Sequence, residues 1–234
     1  MNEIEKTGQA EFDFAAPNPA QKEPSALPPF LRQEGFYFVA LGGAEKVGMN
    51  MYAYLSDGRI IVVDAGYDFL NDDFPGMELG LADPAWLESY RDCIDAMFIT
   101  HSHEDHFGAI AHIWPRLRCP VYATDFTIGH ILPRLREYKL ENEVELISVN
   151  QNPVVKLPDF EVEYVPVVHS LPENSALRIK TKYGTVFHAT DWRFDDCHID
   201  FMKTSYDRLK QVGEQGVDLY VGDSIHMAHP VEQP

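Results

Sequence analysis

The segment that most restricts what this chain can fold into is His101-Ser102-His103-Glu104-Asp105-His106, which directly follows the apolar run Ala96-Met97-Phe98-Ile99-Thr100. Such a run reads as a buried strand, so three histidines and an aspartate issue from a strand end, where loops gather into sites. His101 and His103 are two residues apart, and in an extended loop their imidazoles point to one side and can grip one metal ion. Asp105 and His106 fall at the expected start of a helix, where the turning chain aims them at a second ion. A surface histidine cluster, or Asp105 serving only as a helix cap, is the competing reading. Imidazole suits zinc and manganese alike, and carboxylate widens the choice toward harder ions, so ligand type favours zinc without settling it.

Two metals need more ligands than one loop supplies. His169 follows the strand-like run 160–168, and Asp191 follows 184–190, so both also lie at strand ends. A carboxylate such as Asp191 can bridge two cations about 3.5 to 4 Å apart. Asp64, in the strand-end segment Val62-Val63-Asp64-Ala65-Gly66, is expected to orient a ligating histidine by a hydrogen bond rather than to bind metal itself. His112, His130 and His188 fall in helices or an apolar strand and read as packing or surface residues. His198, His226 and His229 are loop candidates without an assignable partner. Cys93, Cys119 and Cys197 show no paired spacing and read as reduced thiols.

At 234 residues the chain is long enough for one well-packed core and marginal for two. Residues 1–34 are rich in Pro, Ala, Glu and Gln and are predicted to form a disordered tail, leaving one domain over 35–234. That domain opens with strand-like runs at 36–41, 49–55 and 59–66, with Ser56-Asp57-Gly58 as a hairpin turn. A helix is expected over 83–94, with Asp83 as N-cap and Pro84 first in the helix. Beyond the histidine motif the pattern predicts a helix over 106–117, a strand over 120–124 and a helix over 125–139 that Pro133 should kink or restart. Strand candidates follow at 143–149, 159–168, 176–181 and 184–190, then a helix over 203–216 and a last strand over 217–224. Consecutive strands with interleaved helices suit two sheets covered by outer helices, an αββα sandwich of the α/β (α+β) class. The abrupt end after the last strand reads as truncation.

No apolar run of about 18 residues and no basic-then-apolar N-terminus occurs, so a cytoplasmic protein without a membrane partner is expected. Lys and Arg number 19 against 37 Asp and Glu, and the net charge of −18 opposes non-specific attraction to polyanions. A nucleic-acid site therefore has to be a local basic patch, for which Arg116, Arg118, Arg134, Arg136 and Lys139 are candidates beside the usual reading of solvated helix faces.

Together these residues resemble the ribonuclease J family, in the β-CASP branch of the metallo-β-lactamase-fold nucleases. The resemblance runs from Phe38 to Ser224. It is carried by LGGAEKVGMN at 41–50, VVDAG at 62–66, THSHEDHFGA at 100–109, WPRLRCPVYAT at 114–124, HSLPE at 169–173, GTVFHATDWRFD at 184–195, and GEQGV with the later GDS at 213–224. The histidine motif marks only the superfamily, whereas HSLPE and DWRFD point to this family. The resemblance implies that His101, His103, His169 and Asp191 hold one zinc, and that Asp105, His106 and Asp191 hold another, Asp105 and Asp191 being catalytic. It also implies hydrolysis of single-stranded RNA, internally and from the 5′ end, by hydroxide that two cations make available near neutral pH. Against the family pattern, the chain lacks the β-CASP domain, the returning strands and the last histidine ligand of the second metal. Lys46 stands where an acidic residue is usual, Thr190 replaces the glycine before the bridging aspartate, and Ile225-His226 replaces Thr-Asn. The side chain at 190 fills a tight backbone approach and bears on where Asp191 sits.

Three functions compete on this reading. The first is a ribonuclease J-type nuclease, the second a small-molecule hydrolase of the same fold acting on a lactone, thioester or lactam. The third is a metal-binding or partner-binding remnant with little catalysis. A second copy of the chain, or a separate polypeptide that completes the cleft, remains open as a partner.

Overall fold

The structure is a computed structural model that describes residues 34–44, 47–70, 74–151, 153–193 and 204–224. Lys46, Cys197, His198, Ile225, His226, His229 and nearly all of the predicted tail lie outside the described residues. Strands β1 (Phe36–Gly42), β2 (Met51–Ser56), β3 (Arg59–Val63), β6 (Ile94–Phe98), β7 (Val121–Ala123) and β8 (Leu146–Ser148) form a six-stranded sheet in that spatial order. A five-stranded sheet runs β13 (Leu219–Gly222), β12 (Gly184–Thr190), β11 (Ser175–Thr181), β10 (Glu161–Pro166) and β9 (Val154–Lys156). A hairpin of β4 (Tyr67–Phe69) and β5 (Leu79–Leu81) forms a third, two-stranded sheet.

Alternation along the strands builds the layers. In β3, Ile60 and Val62 face a core shared with the helices, while Ile61 and Val63 face the second sheet. Phe98 and Tyr54 meet Tyr164, Leu177 and Ile179 in that inter-sheet core. The outer face of the five-stranded sheet, with Val165, Ala176 and Phe187, packs on Val212 of helix α5 (Tyr206–Gln215). Helices α3 (Ile110–Leu117) and α4 (Asp125–Glu137) cover the other flank through Ile110, Ile113, Ile131 and Leu135. The result is helix, sheet, sheet, helix, the αββα arrangement read from the sequence. Among the described residues no helix is long and apolar enough to cross a membrane.

Several elements differ from expectation. The helix expected over 83–94 is one turn, α1 (Ala85–Glu88), followed by a 3-10 turn over Arg91–Cys93. Asp83 does accept the Ala85 N–H at 2.9 Å, but Ile94 is already committed to β6, paired with Ile60. The helix expected over 106–117 is two, α2 (Glu104–Phe107) and α3, broken at Gly108-Ala109. The Ala109 N–H donates to Ala65 O (2.9 Å), and Asp105 O, its helical partner, instead accepts from Asn50 N (3.0 Å). Gly66 makes this crossing possible, since a Cβ there would collide with the Asp105 carbonyl. Helix α4, by contrast, continues through Pro133. Strands β4, β5 and β9 were not expected; each is three residues long, too short to show alternation.

Candidate metal centre

The 101–106 loop leaves β6 at its carboxyl end, and the sheet packing brings the ends of β10 and β12 beside it. His101, His103, His169 and Asp191 present ligand atoms that all lie within 4.8 Å of one another, and Asp105, His106 and Asp191 form a second such group. His101 Nε2 is 2.9 Å from His103 Nδ1, which is 3.1 Å from His169 Nε2. Asp191 Oδ2 lies 3.8 Å from His169 Nε2 and 3.6 Å from His106 Nε2, between the two groups. Asp105 Oδ2 is also 3.6 Å from His106 Nε2.

The outer nitrogens explain why the inner ones face each other. His106 Nδ1–H donates to Asp64 Oδ2 at 2.8 Å, which turns Nε2 toward the second group. Thr100 spends its N–H and its hydroxyl on the two oxygens of Asp64 (2.8 and 3.0 Å). Its oxygen is then free to accept from His101 Nδ1 at 3.0 Å, so the His101 Nε2 lone pair points inward. His103 Nε2 donates to Ser170 Oγ at 3.1 Å, turning Nδ1 inward. Nitrogen lone pairs converging at about 3 Å repel one another unless a cation lies among them, and tetrahedral zinc with Zn–N of about 2.0 to 2.1 Å sets its ligands only slightly farther apart. The residues present therefore fit a divalent metal ion, with partners on the far side of the His101, His103 and His106 rings as ligating histidines usually have.

Electrostatics favour the neutral form at three of the four rings. Burial, followed by the neighbouring rings of His106, His103 and His169, pushes His101 well below the ordinary histidine range. Burial lowers His103 and His169 in the same direction, so these rings are neutral near neutral pH, the form that metal binding requires. Burial opposes charge on His106 too, but Asp64, Asp191 and Asp105 outweigh it and push its pKa up to about 10, so without a metal ion this ring holds on Nε2 a proton that a bound cation would displace. Burial would raise Asp191, yet the His106 hydrogen bond and the His106, His169 and His103 rings hold it below the usual carboxylate range.

Every site residue read from the sequence is thus in one cluster, with Asp64 behind His106 and not in contact with the inner atoms. The departure at Thr190 does not displace Asp191. Thr190 adopts the glycine-like φ of +55°, and its hydroxyl donates to Thr100 Oγ1 at 3.0 Å. Sequence reasoning missed Asn50, whose Nδ2 lies 3.3 Å from Asp105 Oδ2 and 3.1 Å from His106 Nε2 while Tyr52 OH holds its Oδ1 at 2.9 Å. Nothing in local spacing could have placed it. A cleft of about 580 Å³ opens from Asp105, His106 and Asp191 toward Tyr52, His188 and Tyr220. Of the basic candidates, Arg116 pairs with Glu88 (2.7 Å), Arg134 with Glu104 (2.9 Å) and Arg118 with Glu143 (3.6 Å). Those three charges are already met by carboxylates. His188 is buried and accepts from Tyr54 OH at 2.9 Å, a packing role as expected. Cys119 is buried, and burial pushes its thiol up to about 12.

Comparison with known proteins agrees with this geometry. A family described as a beta-lactamase superfamily domain matches residues 59–211. Ribonuclease J of Sinorhizobium meliloti is 39% identical over 199 residues, covering 83% of this chain and 35% of that protein. Ribonuclease J of Mycolicibacterium smegmatis is 36% identical over 210 residues, covering 89% and 37%. The chain therefore spans about a third of the length of these curated relatives. Among solved structures, the metallo-beta-lactamase fold protein YhfI of Bacillus subtilis superposes with a TM-score of 0.50 at 17% identity, covering 70% of this chain and 65% of that one.

Proposed function

We propose, from the premise that this chain belongs to the beta-lactamase superfamily and has ribonucleases J as relatives, that it carries the metal-holding half of an RNA phosphodiester hydrolase active on single-stranded RNA, internally and from the 5′ end. Two zinc ions are the proposed cofactors, the first held by His101, His103, His169 and Asp191, the second by Asp105, His106 and Asp191. The observation that carries this reading is the gathering of the His101, His103 and His169 ring nitrogens and an Asp191 oxygen within 4.8 Å of one another, with the carboxylate placed between the two groups. A bound pair of divalent cations supplies Lewis acidity, making water acidic enough to act near neutral pH and offsetting charge on the phosphoryl oxygens.

The chain's own groups do the rest. Asp64 and Thr100 fix which nitrogens of His106 and His101 carry protons. Asp191 spans the two groups, and Asp105 Oδ2 is the carboxylate oxygen beside them that takes the proton of the attacking water. The Asn50 amide, aimed at the second group, donates to a phosphoryl oxygen. The cleft that continues past Tyr52 and Tyr220 receives the nucleotide chain.

The test is cleavage of 5′-monophosphorylated single-stranded RNA by the zinc-loaded chain, compared with His103→Ala, which is expected to abolish it. Turnover of a lactone or thioester with RNA left intact selects a small-molecule hydrolase instead. A metal-binding remnant follows from metal uptake with neither activity.

A further inference from the structure

We infer that Glu104 and Glu173 are positioning residues for the metal cluster, and that helix α4 is the spacer through which they act. This rests on the metal-holding reading of the site and does not require RNA cleavage. The two ligand loops come from different sheets. Residues 101–106 follow β6 in the six-stranded sheet, and His169 follows β10 in the five-stranded one. The first group draws on both loops, and metal bonds tolerate deviations of only about 0.2 Å. A device that sets the spacing of the loops is therefore worth looking for.

Helix α4 is bonded to both of them. In its first turn, Glu173, in the same loop as His169, accepts the Phe126 N–H through Oε2 at 2.9 Å and the Asn150 amide through Oε1 at 3.2 Å. Asn150 Oδ1 in turn accepts the Asp125 N–H at 3.0 Å. Of the N–H groups that a helix start leaves open, one is thus satisfied directly by the His169 loop and a second through Asn150, which that loop holds. In its third turn, Arg134 Nη2 donates to both oxygens of Glu104, at 2.9 and 3.0 Å. Glu104 sits between His103 and Asp105, so this anchor grips the other ligand loop. From Phe126 to Arg134 the helix rises about 12 Å. One helix, held at each end by a carboxylate from a different ligand loop, fixes the distance between them.

Neither glutamate belongs to the groups that face a metal. The Arg134–Glu104 pair is partly exposed, and such pairs contribute little to stability. Glu173 also keeps a φ of +57°, a region disfavoured for a residue with a side chain. Its neighbour Asn174 donates to Val167 O (3.4 Å) and Asp191 O (2.8 Å), so the same loop end also carries the support of Asp191.

The experiment titrates the full chain with cobalt and zinc, reading affinity by competition with a chelating dye and geometry by the cobalt absorption bands. Glu104→Gln and Glu173→Gln are each expected to weaken metal binding about tenfold and to alter the cobalt spectrum, with melting temperatures close to that of the unchanged chain. Exchange of the two charges, Glu104→Arg with Arg134→Glu, is expected to recover part of the loss. Undiminished affinity with an unchanged spectrum in both single variants and in their combination overturns the inference while leaving the metal centre standing. An exchange variant no better than Glu104→Gln counts against α4 as the route. Failure of the unchanged chain to take up either metal removes the inference and the metal reading together.

Discussion

Thr190 shows how a single residue can keep a site in place against its own preference. A β-branched residue at φ +55° is a rare outlier, and left-handed backbone costs an L residue about 1 to 2 kcal/mol. The hydrogen bond to Thr100 offsets that at about 0.5 to 1.5 kcal/mol. Thr190→Val keeps the strain and loses the bond, so urea denaturation should show a loss of about 0.5 to 1.5 kcal/mol. Thr190→Gly loses strain and bond together and should stay within about 1 kcal/mol of the unchanged chain. A valine variant as stable as the glycine one would refute the role of the hydroxyl. His188 is a second case. Burial pushes its pKa down to about 4, so the folded state resists protonation that the unfolded chain accepts near 6.5. Its contribution is present above that value and is lost as pH falls from about 6.5 toward 4, up to about 3 kcal/mol. His188→Gln, which can still accept from Tyr54, should flatten that part of the stability profile; an unchanged slope would exclude His188 as its source. Four of the six proposed ligands were legible in the sequence because few other tasks gather three histidines and an aspartate at a strand end, while His169 and Asp191 stood out only as residues at two other strand ends. Thr100, Asn50 and Gly66 were not, because their roles depend on segments that meet only in three dimensions.

Among the elements, strands proved readable where a largely buried run rich in β-branched and aromatic residues lasted five residues or more between turn signals, as in β2, β3, β11 and β12. Helix boundaries were less so, since tertiary hydrogen bonds decided them. The break between α2 and α3 exists because Ala65 and Asn50 take the partners that a continuous helix would use, and no local propensity encodes that. Helix α4 joins a good N-cap, Thr124, to two interior weaknesses, Gly129 and Pro133. Pro133 has no N–H to give to the Gly129 carbonyl four residues before it. A Cβ at Gly129 would meet nothing within 4 Å, so Gly129→Ala should raise stability by about 0.5 to 1 kcal/mol. Chemical denaturation measures this directly, and a destabilised alanine variant would mean that the helix needs its flexibility there.

Across the whole molecule, the two layers of sheet and their flanking helices were legible from the order of strands and helices, while sheet membership was not. The parallel pairing of β12 with β13 depends on contacts far apart in the sequence, and the local β4–β5 hairpin has strands too short to show a pattern. Charge acts at this scale as well. A net of −18 repels itself, and screening shortens from about 30 Å at 0.01 M salt to about 8 Å at 0.15 M. The melting temperature should therefore rise over that range; a fall would mean that ion pairs such as Arg116–Glu88 outweigh the repulsion. The metal centre itself is most directly tested by anomalous diffraction at the zinc edge from crystals of the zinc-loaded chain. Two peaks are expected, one within about 2.0 to 2.1 Å of His101 Nε2, His103 Nδ1 and His169 Nε2, the other beside Asp105 and His106, with Asp191 between them. Crystals with zinc in the solution and no peak among these side chains would contradict the metal centre outright.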